Sequence, residues 1–548
     1  MHIIIPMSGI GKRFLDAGFK DPKPLIIVDG KPIIEHVCNL FPGEDKFTFI
    51  CNSRHLIETN MRDVLFNIKP NANIIEIPNH KYGPVFAVTA IEDLIEKDEE
   101  VIVNYCDFGT YWDYKDFLSH TRNRSADGAV VSYKGFHPHM LGTTNYAFMR
   151  DDEQWMKEIK EKEPFTNNRM KEFASNGTYY FKKGSYVLKY FNDLIEKDIN
   201  LNGEYYVSLV FNLLVNDGLK VSIYEIEHML QWGTPQDIQE YNTWSKYFSH
   251  ITKVGQDIHI HENTITLIPL AGRGSRFSEA GYTDPKPLIE VSGKPMIVQA
   301  ANSLPVSSDH VFVCLSEHIK DYGLDKILRN EFNDSTIVSI ADVTEGQAIT
   351  CSHGLVDIDP NNSLLIAATD NGMIYDQSKY EYLIKNDDAD AIIFTFKHHV
   401  SSKNNPNMYG WVKTNDADEA LEISVKKQIS NSPFEDHAIV GTFWFKKIQY
   451  YKLALKELID KNVLVNGEFY VDSLMGELID MGFNVKVLEV DDYICWGTPN
   501  DYQTFKYWQS FFHKSLHHPY SLENDITVNE NMLEKLIEEY SIAEQKYS

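Results

Sequence analysis

The sequence predicts an α/β fold with a mostly parallel sheet, built twice along the chain. Three observations carry that expectation. Short apolar runs of strand type alternate with stretches of helical spacing, which puts helices on both faces of a sheet. Marker residues recur at a near-constant offset through both halves. The 548 residues, 43% of them hydrophobic, supply material for two large cores.

The elements follow in order. "HIIIPM" near the start is a continuous apolar run of buried-strand type, "IIEHVCNLF" has helical spacing, and "KFTFICN" and "NIIEIP" are again strand-like. A helix is expected from about Val85 to Glu96, and then the strand "EVIVNYCDF". In sheets of this kind ligands sit at the carboxyl ends of the strands, so the glycine loop after the first strand and Asp107 after a later one are expected to share a site.

Arg13 and Arg276, Lys23 and Lys286, Gly83 and Gly346, and Asp107 and Asp370 each stand 263 residues apart. Further on, Gly177 and Gly441, Glu204 and Glu468, and Trp232 and Trp496 stand 264 apart. One slip of a single residue is what duplication of a whole folded unit leaves behind. The expected division is a first copy at 1–248, a polar linker at 249–264, a second copy at 265–512, and an acidic tail at 513–548 with a helix at its end.

The formal charge of −27, from 79 acidic and 52 basic residues, excludes a nucleic-acid or anionic-membrane partner, since both need a net basic footprint. A bound polyanion must therefore be held by a few local cations. Six cysteines without a CxxC pair point to neither a disulfide framework nor a zinc knuckle and fit a reducing cytoplasm. No leader pattern and no run of about 18 apolar residues occurs, so no membrane insertion is expected. A homo-oligomer is left open.

The chemistry concentrates in "SGIGKRFLDAGFKDPKPLI" and its repeat "AGRGSRFSEAGYTDPKPLI". Glycines after a buried strand let backbone amides approach phosphate oxygens, arginine offers a rigid fork of donors, and lysine a compact charge. Prolines on both sides of Lys23 and Lys286 fix the direction of each ammonium. The parts are those of a triphosphate cradle, at spacings that match neither the Walker loop nor the dinucleotide fingerprint.

"LAGRGSRF" followed by "DPKPLI" resembles the signature of the nucleotidylyltransferases that activate sugar phosphates and small phospho-alcohols. The resemblance implies two tandem domains of the nucleotide-diphospho-sugar transferase type, Rossmann-like with a mostly parallel sheet. It implies attack by an acceptor phosphate on the α-phosphorus of a nucleoside triphosphate, with release of pyrophosphate. By the same resemblance Arg276 and Arg13 hold the leaving pyrophosphate, and Lys286 and Lys23 the α-phosphate. Ala271, Gly272, Gly274, Gly346 and Gln347, with Ser8, Gly9, Gly11 and Gly83 in the first copy, line the nucleotide. Asp370 and Asp107 carry Mg²⁺. Lys162, with Lys426 or Lys427 in the second copy, and Glu204 and Glu468 hold the phosphorylated acceptor. CTP is the favoured triphosphate, and capsule or another surface polysaccharide the favoured destination.

Departures from the family pattern are expected to matter. Where the family keeps a second metal aspartate, this chain has Gln231 and Cys495, and Glu227 and Asp491 are the nearest substitutes on the same strand face. Lys12 replaces a small hydroxyl residue, Pro84 stands opposite Gln347, Ser208 opposite Asp472, and "VKKQ" replaces "EKEP". These differences favour the second copy as the triphosphate site. Two other function classes remain: a glycosyltransferase on the same fold, against which the absence of an Asp-x-Asp motif speaks, and a protein with one catalytic and one regulatory copy. The tryptophans at 232 and 496 read as packing, and the histidine tracts at 137–139, 397–399 and 516–519 as surface.

Overall fold

The computed structural model describes residues 1–253, 259–386 and 389–545. Of the expected linker, 254–258 lie outside the described residues, as do 546–548 of the tail. Two compact units emerge, Met1–Lys246 with Tyr507–His518, and Tyr247–Lys506 with Pro519–Ser548.

In the first unit a nine-stranded sheet is ordered Asn73–Ile77, Phe47–Asn52, His2–Met7, Val101–Asn104, Phe173–Phe181, Gly128–Tyr133, Val221–Glu225, Trp155–Glu161, Ala147–Asp152. His2–Met7 is buried throughout and runs parallel to both neighbours, Phe47–Asn52 and Val101–Asn104. An unbroken apolar run is what a strand covered on both faces requires. The second sheet repeats the order, Thr336–Ile340, Ser307–Leu315, His261–Leu270, Ser363–Ile366, His437–Phe445, Ala391–Phe396, Val485–Glu489, with Gly410–Thr414 and Ala420–Val425 joined beside His437–Phe445. In both units the chain leaves the first strand to one side and returns on the other. That reversal of strand order opens a crevice at the strands' carboxyl ends.

Helices cover the sheets with the periodic faces the sequence announced. Val85, Val187, Phe191, Val210, Phe211 and Leu214 bury one face of the first sheet. Ala348, Tyr451, Leu455, Leu458, Leu474 and Leu478 do the same in the second. The helix expected over 85–96 is shorter. It spans Gly83–Thr89, and a separate 3₁₀ turn, Glu92–Leu94, follows. No described helix is long and apolar enough to cross a membrane. All six cysteines are unpaired.

Candidate active site

The first strand of each unit delivers a glycine loop to the crevice. Gly11 and Gly274 adopt φ of +68° and +62° and open the short helices Lys12–Asp16 and Ser275–Glu279. At Gly274 a β-carbon would lie 2.8 Å from Lys286 Cβ, so only glycine lets the loop close on the lysine segment. Arg13 and Arg276, early in those helices, are exposed, and their side chains make no hydrogen bond or ion pair among the described residues. Their forks face solvent, available to an anion.

Lys23 and Lys286 each begin a 3₁₀ turn between two prolines. Lys23 Nζ donates to Asp107 Oδ2 at 2.7 Å. Lys286 Nζ pairs with Asp370 Oδ2 in the same way and donates to the Gly497 carbonyl at 2.9 Å. Burial works against the Lys23 ammonium, but Asp107 beside it more than offsets this and raises its pKa above the ordinary lysine value. Loop, lysine and aspartate thus meet at the crevice in each unit.

The loop at Gly83 and the segment after Glu204 are joined through backbone, as are their counterparts at Gly346 and Glu468. Tyr205 N–H donates to the Tyr82 carbonyl at 2.8 Å and Val85 N–H to the Tyr205 carbonyl at 3.1 Å. In the second unit Phe469 N–H donates to Glu345 and Ala348 N–H to Phe469, at 2.8 and 3.0 Å. A β-carbon on Gly83 would meet Tyr205 backbone atoms at 2.8 Å, and one on Gly346 would meet Phe469 N at 2.5 Å. These glycines therefore allow two chain segments to touch. Beyond Gly83, Pro84 sits in the first helical turn, where a missing N–H costs nothing.

Lys162 Nζ donates to Tyr206 Oη at 2.6 Å, and the Tyr206 hydroxyl donates to Glu204. Of the two candidates in the second copy, Lys426 has the matching geometry. It shares the left-handed backbone of Lys162, φ +56° against +60°, and likewise packs over a tyrosine ring, Tyr470. Its Nζ donates to the Met408 carbonyl. Lys427 is exposed in the turn, its carbonyl accepting from Ser424 Oγ at 2.6 Å. Glu468 is exposed.

Glu227 and Asp491 do not substitute for a second metal aspartate. Along the ladder Gln231 pairs with Phe108, next to Asp107, while His228 pairs with Tyr111. Glu227 lies one residue beyond that, roughly 13 Å from Gln231 at strand rise. It is held by Lys514 Nζ at 2.6 Å. Asp491 is set back in the same way, its N–H donating to the Ile374 carbonyl at 2.8 Å.

Asp237 and Asp501, which the motifs do not single out, stand beside the site. A β-carbon on Gly233 would lie 3.5 Å from Gln231 Nε2, 3.6 Å from Asp107 Oδ2 and 3.8 Å from Asp237 Oδ2. Asp237 accepts from Thr234 N–H at 2.7 Å and Thr234 Oγ1 at 2.6 Å, and burial pushes its pKa up to about 6. Asp501 accepts from Thr498 in the same manner, and burial raises its pKa too. The signal was present: Thr-Pro-x-Asp before a helix is a capping pattern, repeated at an offset of 264. Gln231 Oε1 is buried with no hydrogen-bond partner. Trp232 and Trp496 are buried, their rings against Gly109 and Gly372.

The family model described as nucleotidyl transferase matches residues 3–205. That stretch makes up most of the first unit. The bifunctional protein GlmU of Staphylococcus epidermidis is 28% identical over 229 residues, 41% of this chain and 47% of the relative. The match thus spans about half the length of that curated relative. Among solved structures, the nucleoside-diphosphate-sugar pyrophosphorylase from Vibrio cholerae RC9 is 22% identical with a TM-score of 0.37, over 44% of this chain and 98% of that one. The inositol-1-phosphate CTP transferase from T. maritima is 15% identical with a TM-score of 0.36, over 45% and 96%.

In the first unit, Ser8 Oγ and His80 Nε2 lie 2.9 Å apart, tying the glycine loop to the loop before Gly83. His80, Tyr82 and Phe86 pack ring against ring, a feature the sequence did not advertise. The histidine tracts divide. His398 and His517 are exposed as expected, but His137 is 1% exposed, packed between Tyr133 and Tyr507. Burial lowers its pKa to about 4, because the charged ring would lose its hydration.

Asp472 supplies a pH test. Burial raises its pKa from 3.8 to about 6, against the pull of Lys426. An acid whose folded pKa is raised binds its proton more tightly when folded, so stability is greatest below the unfolded value and falls as pH rises through the folded one. Asp472→Asn removes this dependence. The variant's melting temperature minus that of the parent should therefore rise between pH 5 and pH 8, and a flat difference would contradict the burial assigned to the carboxylate.

Proposed function

We propose that the chain is a nucleotidylyltransferase that joins a nucleoside monophosphate to a phosphorylated sugar, polyol or similar small molecule, releasing pyrophosphate. The supporting observation is the proline-clamped lysine paired with an aspartate at the carboxyl ends of two adjacent parallel strands, present as Lys23 with Asp107 and again as Lys286 with Asp370. The acceptor phosphate is already an anion, so no protein nucleophile is needed. The task of the residues is to position both reactants and to balance charge at phosphorus.

On this reading Lys23 and Lys286 face the α-phosphate, Arg13 and Arg276 the departing pyrophosphate, and Lys162 and Lys426 the acceptor phosphate. The two units are copies, 1–248 and 265–512, with the tail beyond 513. In the first unit the donors fit Mg²⁺. Asp107, Asp237 and the unpartnered Gln231 Oε1 offer carboxylate and amide oxygens around Gly233, the chemistry a hard cation takes. When bound, the ion supplies positive charge to the phosphate oxygens during transfer. In the second unit Cys495 takes the place of Gln231, and burial keeps its thiol protonated, a poor partner for a hard ion. The family match and the oxygen donors both fall on the first unit, which gives it at least equal weight with the second, where Gly346–Gln347 keeps the base loop. CTP remains the favoured triphosphate, and a role in surface-polysaccharide synthesis in the cytoplasm the favoured setting.

The test is incubation with each triphosphate, Mg²⁺ and a panel of phospho-sugars and phospho-polyols. Release of pyrophosphate dependent on one acceptor is the expected result. Transfer from a preformed nucleotide sugar, or binding without turnover, overturns it. Arg13→Ala and Arg276→Ala, made separately, should each lower turnover by the share its own unit contributes, so the larger loss names the working unit.

A further inference from the structure

The segment 519–545 had no assigned role, yet its contacts in the second unit converge on one place. The 3₁₀ turn of Lys286 runs directly into a hairpin, Glu290–Val291 with Lys294–Pro295, and the two are tied by Ile289 N–H to the Lys286 carbonyl at 3.2 Å and Met296 N–H to the Ile289 carbonyl at 2.8 Å. Asn529 N–H donates to the Ser292 carbonyl at 3.0 Å, and Asn529 Nδ2 to the Gly293 carbonyl at 3.1 Å. Gln299 Nε2 bridges the Val291 carbonyl at 2.9 Å and the Thr527 carbonyl at 2.8 Å. Lys535 pairs with Glu290 at 3.2 Å. Met532 packs on the tip so closely that a β-carbon on Gly293 would lie 2.6 Å from Met532 Cβ.

The first unit holds the matching hairpin by other means. Asp29, at the position of Ser292, accepts from Tyr241 Oη at 2.6 Å and Ser245 Oγ at 2.7 Å. A β-carbon on Gly30 would meet nothing within 4 Å. The positions 264 residues beyond Tyr241 and Ser245 are Phe505 and Gln509, neither a hydroxyl. In the first unit the helix alone supplies these side-chain bonds, whereas in the second the helix gives Tyr502 Oη, which donates to the Glu290 carbonyl at 2.7 Å, and the segment that follows adds the bonds to the hairpin tip. That segment is itself anchored: Tyr520, Leu522, Val528, Leu536 and Tyr540 are buried.

We propose that residues 519–545 are a brace that positions Lys286, with Asn529 and Met532 as positioning residues that act through the hairpin and touch no substrate. Its catalytic consequence rests on the function proposed above; its structural consequence does not.

Two measurements on the full chain test it. In Asn529→Ala/Met532→Ala, amide hydrogen exchange over 286–296 should quicken about ten-fold, with 23–33 and the remaining sheet amides of the second unit unchanged. In a Lys23→Ala background, where the second unit alone reports, the same double substitution should lower kcat roughly 10- to 100-fold with little change in the KM of the acceptor. A chain ending at His518 should show the same loss, and a synthetic peptide of residues 519–545 should restore it. Unchanged exchange at 286–296, or an equal rise throughout the second unit, overturns the brace. So does a rise in KM without a fall in kcat. Should the unsubstituted chain release no pyrophosphate from any triphosphate, the proposed function fails and the exchange measurement alone decides the brace. Should the shortened chain not fold, the double substitution decides.

Discussion

Lys286→Ala should lower the turnover of the second unit by roughly 100- to 1000-fold, the effect of deleting one preorganised charge at a centre where negative charge builds up. The side chain is 18% exposed, enclosed by Phe277, Asp370 and the Gly497 carbonyl. Its charge thus acts where water screens it poorly. On the proposed function, removal takes away the α-phosphate contact and leaves Asp370 without its lysine partner, which adds repulsion toward an incoming triphosphate. Lys23→Ala should do the same in the first unit, where Asp107 loses its partner at 2.7 Å. Arginine should not rescue either position, since a planar fork cannot follow the path that the flanking prolines and the close Gly274 contact impose. Initial rates of pyrophosphate release, with circular dichroism to confirm folding, give the answer. Losses below about three-fold in both variants would remove these lysines from the chemistry.

Gly346→Ala should destabilise the second unit by about 3 kcal/mol or more, from a strained backbone and an overfilled contact together. Gly346 has φ +124°, and an added β-carbon would press on Phe469 N at 2.5 Å and Phe469 O at 2.6 Å, atoms already committed to hydrogen bonds. Neither side can yield without parting the base loop from the acceptor loop. The unit's apparent melting temperature should fall by roughly 6–12 °C at this domain size. Affinity for triphosphate and acceptor should fall together, because one backbone pairing holds both loops. Gly83→Ala should behave alike, with φ +84° and a contact of 2.8 Å at Tyr205 O. Calorimetry on each variant checks this, and a change below about 1 kcal/mol in both would show that the loops do not depend on that approach.

Much of this was legible in the sequence because its signals are local. Unbroken apolar runs specify buried strands, helical spacing specifies the covering helices, and Gly-x-Gly with Pro-Lys-Pro specifies a loop that backbone geometry alone keeps rigid. That the glycine loop and Asp107 come together was expected, since strand ends in a parallel sheet converge whatever the loops between them; the ion pair of Lys23 with Asp107 was not. The choice between Lys426 and Lys427 was not legible: it turns on which residue takes the left-handed backbone at the end of a strand. Nor was His137 legible, because a histidine between Phe136 and Pro138 gives no sign that Tyr507, 370 residues on, will close over it.

By itself, then, the sequence determined the elements, their order in each half and the loops that bring glycines, a lysine and an aspartate to one end of the sheet. Only the tertiary structure decided that Asp237 joins Asp107 around Gly233, that Glu227 is spent on Lys514, and that the hairpin behind Lys286 is held by residues some 230 positions away. Periodicity and turn chemistry act over a few residues and are written along the chain. Contacts between distant segments depend on how whole elements pack, which no short stretch of sequence encodes.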